Sequence, residues 1–586
     1  MKNVILLLID SVYSECLGDN RTEVSSTPFI DEIASQGLYS THVYSYGPYT
    51  DAATRGLYCG NRTLDDYGYY FGINTPAENH FKTFYENGYE TYGLYYPYYL
   101  IGPNVKKYIN HSIYTGGFEY KSEWGGKFNY YADLKKTREL TDSEYKLLIK
   151  HVDLMFDCWL SFYEDIEKDS DSSLIVKDYK MNSQEYIGKK KLVEEYSFYI
   201  KNKKTYVDQI LMQGMEHVLA TINDYTIDSK INKAFINNIY KHNPKFFGSI
   251  KRNQKSRNIK NNKFDWKQAK NSKRYIINYL LNLFQQEYME HLSKKNGWQY
   301  SASAFTQIDT ILKLIDKRVN NNRPFYMSLH VEDPHNYISY FTYDIESKEQ
   351  IADELGYLKP LVDNCGKKFK GNLSYQLSLR YIDYCVKHLF DGLKVRKLLD
   401  NTMVVLTADH GSSYTNFPLR SSVVNNFYNE NYQTPLIIWT PDCNNPIKTD
   451  ALFSAEDTLK TLLKEAKLKV PDKYKGIDMR NNTSGRDYII TEYMGPGVPD
   501  MINRDVWMSA RNNKYVVSYI CNISGNFKKD NPIAVFDLVN DINELNPLKI
   551  GVDIPFEDIS ELVYALENRF NEIKNKTSDY LSRLDF

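Results

Sequence analysis

The stretch Asn401-Thr-Met-Val-Val-Leu-Thr-Ala-Asp-His-Gly411 joins a continuous apolar run to an acidic residue, a histidine and a glycine. This order is typical of a parallel strand that is buried on both faces and has a functional carboxyl end. The run at 4–9 has the same form and ends at Asp10. Because α/β folds bind ligands beyond the carboxyl ends of their strands, we expect Asp10, Asp409 and His410 to lie at such an edge.

Further segments predict the rest of this sheet and the helices around it. Apolar runs at 324–330 and 434–440 indicate two more strands. Helical patterns cover 28–37, with Thr27 as the residue that caps its first turn, and 374–399. Strands that alternate with helices predict an α/β fold with a mostly parallel sheet.

Composition excludes several classes of protein. The 586 residues are 42% hydrophobic and 25% charged, which excludes wholesale disorder and allows a large core. The net charge of -1 excludes a polycation built for nucleic acid. The 52 tyrosines fit either half-buried surfaces that handle sugars or bases, or a biased genome.

The cysteines and the N-terminus predict a reducing compartment. The seven cysteines are scattered, odd in number and without a CxxC pair, which argues against a disulfide framework and a zinc ribbon. Only six apolar residues precede Asp10, too few for a signal peptide. No stretch approaches the ~18 apolar residues of a membrane span. We therefore expect a cytoplasmic protein.

The middle of the chain, 125–300, is rich in Lys, Glu, Asn and Tyr and has long helical patterns, such as 144–167 and 274–293. Within it, 244–275 carries eleven basic residues and one acid. This stretch is either part of a solvated helical insertion or a patch that contacts a polyanion or a membrane surface.

Asp10, Asp409 and His410 offer three ligands that suit a divalent cation. A single Asp after a strand is more often a simple cap, but Gly411 permits a sharp turn that would leave both preceding side chains accessible.

A second candidate group lies at 46–60, where Thr50 stands near the start of a predicted helix and Arg55 follows. A helix N-terminus and a guanidinium both favour phosphate or sulfate, although an ordinary cap with an exposed Arg has the same pattern. His330 and His335 follow another strand and could bind an oxyanion or protonate a leaving group.

These segments resemble the sulfatase-like branch of the alkaline phosphatase superfamily. The resemblance spans about 1–120 and 305–550, and its motifs are Asn3-Val-Ile-Leu-Leu-Leu-Ile-Asp-Ser11, Thr27-Pro-Phe-Ile-Asp-Glu-Ile-Ala34, Gly47-Pro-Tyr-Thr50, Pro324-Phe-Tyr-Met-Ser-Leu-His-Val-Glu-Asp-Pro-His335, Tyr381-Ile-Asp383 and 399–411. It implies an alkaline-phosphatase-like, mostly parallel central sheet flanked by helices. The catalytic core would comprise 1–124 and 301–470, with a helical, partly basic insertion at 125–300. A small C-terminal α+β subdomain at 471–586 would complete the fold.

The resemblance also implies roles for the candidate residues. Asp10, Asp409 and His410 would bind one divalent metal ion (Mn, Mg, Ca or Zn), and Thr50 would be the nucleophile on it. Arg55 would support Thr50, and His335 would contact the transferred group or its leaving oxygen. His330 is a weaker candidate for substrate binding in the same pocket.

Two departures from the family pattern bear on the chemistry. Sulfatases carry a Cys or Ser that becomes formylglycine, four residues before an Arg, whereas here that position is Asp51. Formylglycine is therefore not expected. Thr50 fits after one inserted residue and matches relatives that use a threonine nucleophile, while Asp51 stays open as the alternative. Ser11 replaces the second aspartate of the strongest sulfatases, which implies a leaner metal site.

These observations leave three functions open. The first is a metal-dependent phosphodiesterase or phosphotransferase that acts on a small molecule, a glycan or a lipid-linked head group through a phospho-threonine intermediate. The second is a sulfuric ester hydrolase without formylglycine. The third is a non-catalytic protein that keeps the fold and binds a polyanion through its basic insertion. The sequence does not predict the oligomeric state.

Overall fold

A computed structural model describes residues 1–17, 25–66, 78–95, 103–115, 120–168, 174, 187–214, 302–318, 322–335, 373–412, 427–494 and 505–583. The basic stretch 244–275 and the predicted helix at 274–293 lie outside these residues. The polyanion or membrane contact through 244–275 therefore stays a prediction.

The larger of two sheets has nine strands among the described residues, in the order β4-β3-β5-β1-β6-β7-β2-β8, with β9 beside β2. The strands are β1 (Asn3–Ile9), β2 (Leu38–Tyr44), β3 (Glu90–Tyr95), β4 (His111–Tyr114), β5 (Phe325–Val331), β6 (Thr402–Ala408), β7 (Gln433–Trp439), β8 (Ile447–Thr449) and β9 (Phe453–Ser454). All pairings are parallel except those of β7 with β6 and with β2. The mostly parallel α/β sheet expected from the sequence is thus confirmed.

The central position of β1 brings three functional segments together. Ile9, the last residue of β1, pairs with Val331 of β5 on one side and with Ala408 of β6 on the other. All seven residues of each of these three strands are buried, as their largely apolar sequences predict. The residues that follow the strands, Asp10, Glu332 and Asp409, therefore leave the sheet at one edge.

Helices flank this sheet and also form parts of the chain outside it. In chain order they are α1 (Pro28–Ser35), α2 (Thr50–Cys59), α3 (His80–Glu86), α4 (Pro103–Lys106), α5 (Tyr120–Thr137), α6 (Asp142–Lys168), α7 (Ile187–Lys201), α8 (Lys203–Gln213), α9 (Ala304–Asp316), α10 (Leu373–Val395), α11 (Ala455–Glu465) and α12 (Ser560–Ser582). Ring contacts join some of them to the sheet: Phe390 of α10 packs edge-on against Phe29 of α1 and against Trp439 of β7, with centroids 5.3 and 5.0 Å apart.

The described parts of the predicted insertion are helical, namely α5 to α8. The boundaries placed at 124, 300 and 470 stay predictions. Within the described residues, no helix is long and apolar enough to cross a membrane. The cytoplasmic location also stays a prediction.

The C-terminal part forms the second sheet and α12. Strands β10 (Ile489–Tyr493), β11 (Asp505–Arg511), β12 (Tyr515–Asn522) and β13 (Ala534–Asp537) pair in that order, all antiparallel. The first of them contacts the predicted catalytic core directly, because the backbone N–H of Glu492 donates to the carbonyl of Tyr46 at 2.8 Å. This part of the chain therefore packs beside the segment that leads into α2.

Candidate active site

Asp10, His330 and Asp409 meet at the edge of the large sheet. One ligand atom of each lies within 4.8 Å of the others, and all three side chains are buried. Asp10 and Asp409 follow adjacent strands, and His330 is the penultimate residue of β5 on the other side of β1. Asp10, Asp409 and His410 lie together at one edge of the sheet, as expected, and His330 lies inside the same cluster.

The two oxygens of the Asp10 carboxylate have different neighbours. Oδ1 accepts a hydrogen bond from Ser11 Oγ at 2.6 Å and lies 3.6 Å from His410 Nε2. Oδ2 accepts from Thr50 Oγ1 at 3.3 Å and lies 3.6 Å from His330 Nε2. Asp10 is therefore the residue that links the predicted nucleophile to both histidines.

Asp409 divides its oxygens in a similar way. Oδ1 accepts from the backbone N–H groups of Ser11 at 3.1 Å and of His410 at 2.7 Å. Oδ2 is buried, receives no hydrogen bond among the described residues and lies 3.6 Å from His410 Nε2. One oxygen is thus held by the backbone, and the other faces the imidazole.

The tautomer of His410 follows from its contact with the next residue. Its Nδ1 lies 2.6 Å from the carbonyl oxygen of Gly411, so Nδ1 is the donor, and in the neutral imidazole the lone pair is on Nε2. That lone pair belongs to the nitrogen nearest both carboxylates. A backbone carbonyl that fixes a ligating histidine in this way is usual in metal sites.

These donors fit a divalent cation. Two carboxylates and an oriented imidazole are borderline-to-hard ligands, and the buried, unsatisfied Asp409 Oδ2 is the kind of atom that a cation would satisfy. Asp10, Asp409 and His410 would hold the ion, as the resemblance implies, and the position of His330 makes it a further candidate ligand.

Electrostatics within the cluster favour charged groups. Burial alone would raise the pKa of Asp10, but the nearby imidazoles of His335, His330 and His410 hold it well below its usual range. Burial opposes a charge on His330, yet the negative charge of Asp10, whose Oδ2 lies 3.6 Å from His330 Nε2, raises its pKa. Each group therefore stabilises the charged form of the other.

Thr50 is the first residue of α2, after Tyr49 in an extended conformation. The loop before it is tightly packed: a Cβ on Gly47 would lie 2.2 Å from the Cβ of Ala52, so only glycine fits there. Ser45 Oγ donates to the Gly47 carbonyl at 2.9 Å, and the Tyr49 ring packs edge-on against Tyr493 of β10. This packing sets where the buried Thr50 hydroxyl emerges, beside Asp10.

The other predicted residues lie at different distances from this centre. His335 is half-buried in the turn after β5, and its charge acts on Asp10. Arg55 is buried, and its Nε donates to the carbonyl of Arg62 at 3.2 Å, beyond the far end of α2. Burial lowers the pKa of Arg55. Asp51 is partly exposed on the first turn of α2. The roles of all three stay predictions.

Glycine is required at position 411 for a different structural reason from the one expected. We expected a sharp turn, but Gly411 is not among the residues with a positive φ. Instead, a Cβ there would lie 2.0 Å from the carbonyl oxygen of Glu430. The chain at 430–431 passes directly over Gly411, whose N–H donates to Asn431 O at 3.0 Å. Close backbone approach, rather than turn geometry, thus requires this glycine.

Comparisons with known proteins identify the family and the fold. A family model described as Sulfatase matches residues 2–468. Among solved structures, Ps i-CgsB in complex with k-i-k-neocarrahexaose has 14% identity and a TM-score of 0.51, over 98% of this chain and 93% of that chain. The Bacteroides fragilis sulfatase candidate yidJ has 14% identity and a TM-score of 0.51, over 100% and 98%.

A third structure, from work on the metabolism of multiple glycosaminoglycans by Bacteroides thetaiotaomicron, has 13% identity and a TM-score of 0.52, over 100% of each chain. At these identities the likeness shows a shared fold. A search of curated proteins finds no match.

Proposed function

The chain belongs to the sulfatase family of the alkaline phosphatase superfamily, and from this premise we propose that it is a divalent-cation-dependent hydrolase of phosphodiesters with Thr50 as its nucleophile. The observation that carries the proposal is the 3.3 Å hydrogen bond from Thr50 Oγ1 to Asp10 Oδ2. It sets a hydroxyl against the carboxylate at the centre of the Asp10–His330–Asp409 cluster. A hydroxyl in this position is a nucleophile when a base or a cation activates it.

The residues of the chain have distinct tasks in the proposed reaction. A divalent cation held by Asp10, Asp409 and His410 would lower the pKa of the Thr50 hydroxyl and withdraw charge from the ester oxygens. Asp10 orients the hydroxyl through Oδ2. The start of α2, where Thr50 lies, favours the negative charge of the ester through the helix dipole.

The covalent step transfers the phosphoryl group of the diester to Thr50. The Thr50 hydroxyl loses its proton to solvent, and Oγ1 forms a bond to phosphorus while the bond from phosphorus to the leaving oxygen breaks and the leaving oxygen takes a proton from His335. The product is a phosphothreonyl ester that keeps the second substituent of the diester. Water then gives a proton to His335 and attacks phosphorus, the bond from phosphorus to Thr50 Oγ1 breaks, Oγ1 takes a proton from solvent, and a phosphomonoester is released.

A sulfate ester is the second candidate substrate, because the family match favours it. Formylglycine chemistry needs an aldehyde, which forms from the thiol of Cys or the primary alcohol of Ser. The secondary alcohol of Thr50 cannot supply an aldehyde, so a sulfate group would have to pass through a sulfothreonine. Phosphodiesters and sulfate monoesters both carry one negative charge, so the same cluster suits either. Because i-CgsB was solved with an oligosaccharide, glycan esters are the natural substrates to test first.

The test uses p-nitrophenyl phosphodiester and p-nitrophenyl sulfate as matched probes. We expect release of p-nitrophenolate from the phosphodiester, loss of release on chelation and recovery with Mn²⁺. Thr50→Ala should lower the rate at least ~1,000-fold. Thr50→Ser should keep measurable turnover, because it preserves the hydroxyl. Mass spectrometry of the peptide covering 47–60 after a short incubation should find the transferred group on Thr50.

Three outcomes would decide between the alternatives. Wild-type turnover by Thr50→Ala would exclude Thr50 as nucleophile. A modified Asp51, together with an inactive Asp51→Asn variant, would move the nucleophile by one residue. Turnover of the aryl sulfate alone, with sulfothreonine at Thr50, would establish the sulfatase in place of the phosphodiesterase.

A further inference from the structure

One residue, Ser11, contacts both carboxylates of the cluster. Its Oγ donates to Asp10 Oδ1 at 2.6 Å, and its backbone N–H donates to Asp409 Oδ1 at 3.1 Å. Its side chain is fully enclosed. A single residue thus spans the ends of β1 and β6 and binds one oxygen of each acid.

Ser11 does this in an unfavourable backbone conformation. Its φ is +63°, in the left-handed region that residues with a side chain seldom adopt. Such a conformation is unfavourable for a residue with a side chain and persists only where its surroundings enforce it. This conformation directs the N–H of Ser11 toward Asp409. A regular extended continuation of β1 would not.

Tyr375, in the first turn of α10, enforces this conformation. Its hydroxyl donates to the carbonyl of Ser11 at 2.8 Å and accepts from the N–H of Tyr13 at 3.3 Å. The side chain is fully buried, so both bonds form in a low-dielectric environment. The phenol therefore fixes the backbone on both sides of Val12 and, through it, the orientation of Ser11.

As a result, the four carboxylate oxygens of Asp10 and Asp409 have different partners. Ser11 occupies Oδ1 of both acids. Asp10 Oδ2 then faces Thr50 and His330, and Asp409 Oδ2 faces His410. Two adjacent carboxylates repel each other, and without these donors they would gain by turning apart.

We propose that Ser11 and Tyr375 are positioning residues that hold Asp10 and Asp409 in the orientation required for cation binding. The inference rests on the cation site of the proposed function and adds two residues that would not touch the ion. Hydrogen-bond partners of metal ligands typically contribute 10- to 100-fold in affinity.

The test measures Mn²⁺ binding by calorimetry in the full-length protein, without substrate. Tyr375→Phe removes one hydroxyl and keeps the ring. Ser11→Gly removes the donor to Asp10 and accepts φ +63° without strain, so its melting temperature without Mn²⁺ should not fall below that of Ser11→Ala. We expect both Tyr375→Phe and Ser11→Gly to raise the Kd for Mn²⁺ about 10-fold or more.

Tyr89→Phe is the matched control. Tyr89 is equally buried, and its hydroxyl also donates to a backbone carbonyl, that of Lys2 at 3.0 Å, before the start of β1. It should lose similar stability and keep the wild-type Kd. Unchanged Kd values in Tyr375→Phe and Ser11→Gly, with lowered melting temperatures alone, would overturn the positioning role. A wild-type protein that binds no Mn²⁺ would instead overturn the cation site of the proposed function, and the positioning role with it.

Discussion

Asp10 and Asp409 are two acids buried side by side, which is costly unless their charge is balanced. His330 supplies part of this balance, because the negative charge of Asp10 raises the pKa of His330 against the effect of burial. His335, in the turn after β5, also helps to lower the pKa of Asp10. A divalent cation would complete the balance at Asp409 Oδ2, which has no hydrogen bond among the described residues.

Replacing Asp409 with Asn tests this balance at a single residue. Asp409→Asn keeps an acceptor for the N–H groups of Ser11 and His410 but removes a negative charge and one cation ligand. We expect Mn²⁺ affinity to fall at least ~10-fold, and the rise in melting temperature on adding Mn²⁺ to shrink accordingly. Asp391→Asn, on the exposed face of α10, is the control. A Kd equal to wild type in Asp409→Asn would remove Asp409 from the ligand set.

At the residue scale, the sequence predicts those residues of the candidate site that lie at the ends of strands. Asp10, Asp409 and His410 follow unbroken apolar runs, and parallel strands bring such ends to one edge. His330 was expected only as a weaker substrate contact, because a histidine inside a strand gives no sign of its neighbours. Ser11 and Tyr375 could not be linked from sequence, since their contact spans 364 positions and Tyr375 is one of 52 tyrosines.

At the element scale, buried acids from other elements cap two of the helices. Thr27 precedes α1 as predicted, but its side chain makes no capping bond. The carboxylate of Asp383 on α10 caps α1 instead, accepting from the N–H groups of Ile30 at 2.8 Å and Phe29 at 3.3 Å. Asp333 does the same for α9 by accepting from Ala304 N–H at 2.9 Å. Helix bounds could be predicted from local patterns, but these caps come from other elements and could not.

The cap at Asp383 predicts a pH dependence of stability. Burial raises the pKa of Asp383 from 3.8 to about 7. Between these values the folded protein binds more protons than the unfolded chain, so stability falls as the pH rises through this window, by up to ~1.4 kcal/mol per pH unit. We expect the melting temperature of the wild type to fall relative to that of Asp383→Asn between pH 5 and pH 7, as scanning calorimetry can measure.

Asp316→Asn is the control for this pH dependence, because the hydrogen bond from Arg396 lowers the pKa of that exposed acid. Its difference from the wild type should stay constant from pH 5 to pH 8. The same constancy in Asp383→Asn would mean that Asp383 is ionised throughout this range in the folded protein.

At the scale of the whole molecule, the C-terminal part holds both ends of α2. Before the helix, the N–H of Glu492 donates to Tyr46 O. After the helix, the Glu492 carboxylate accepts from Leu64 N–H at 3.4 Å and binds the guanidinium of Arg569 on α12 through both oxygens. Arg569 also reaches Asp65 at 2.9 Å. The resemblance to known sulfatases predicted a C-terminal part that completes the fold, but not these contacts, which join residues up to 504 positions apart.

Arg569→Met tests whether this ion cluster stabilises the whole molecule. Arg569 and Glu492 are almost completely enclosed, so removal of the guanidinium leaves a buried carboxylate whose remaining cationic neighbour, Arg62, is 3.9 Å away, and it should lower the free energy of unfolding by ~3–5 kcal/mol. Replacing both residues with Met should recover part of the loss, because the buried carboxylate is then removed as well. Arg583→Met is the matched control: it removes an exposed ion pair with Asp579 on the same helix and should change stability by less than ~1 kcal/mol. Urea denaturation measures the free energy of unfolding of all of these variants. Equal losses in Arg569→Met and Arg583→Met would show that the buried ion cluster stabilises the protein no more than an exposed ion pair does.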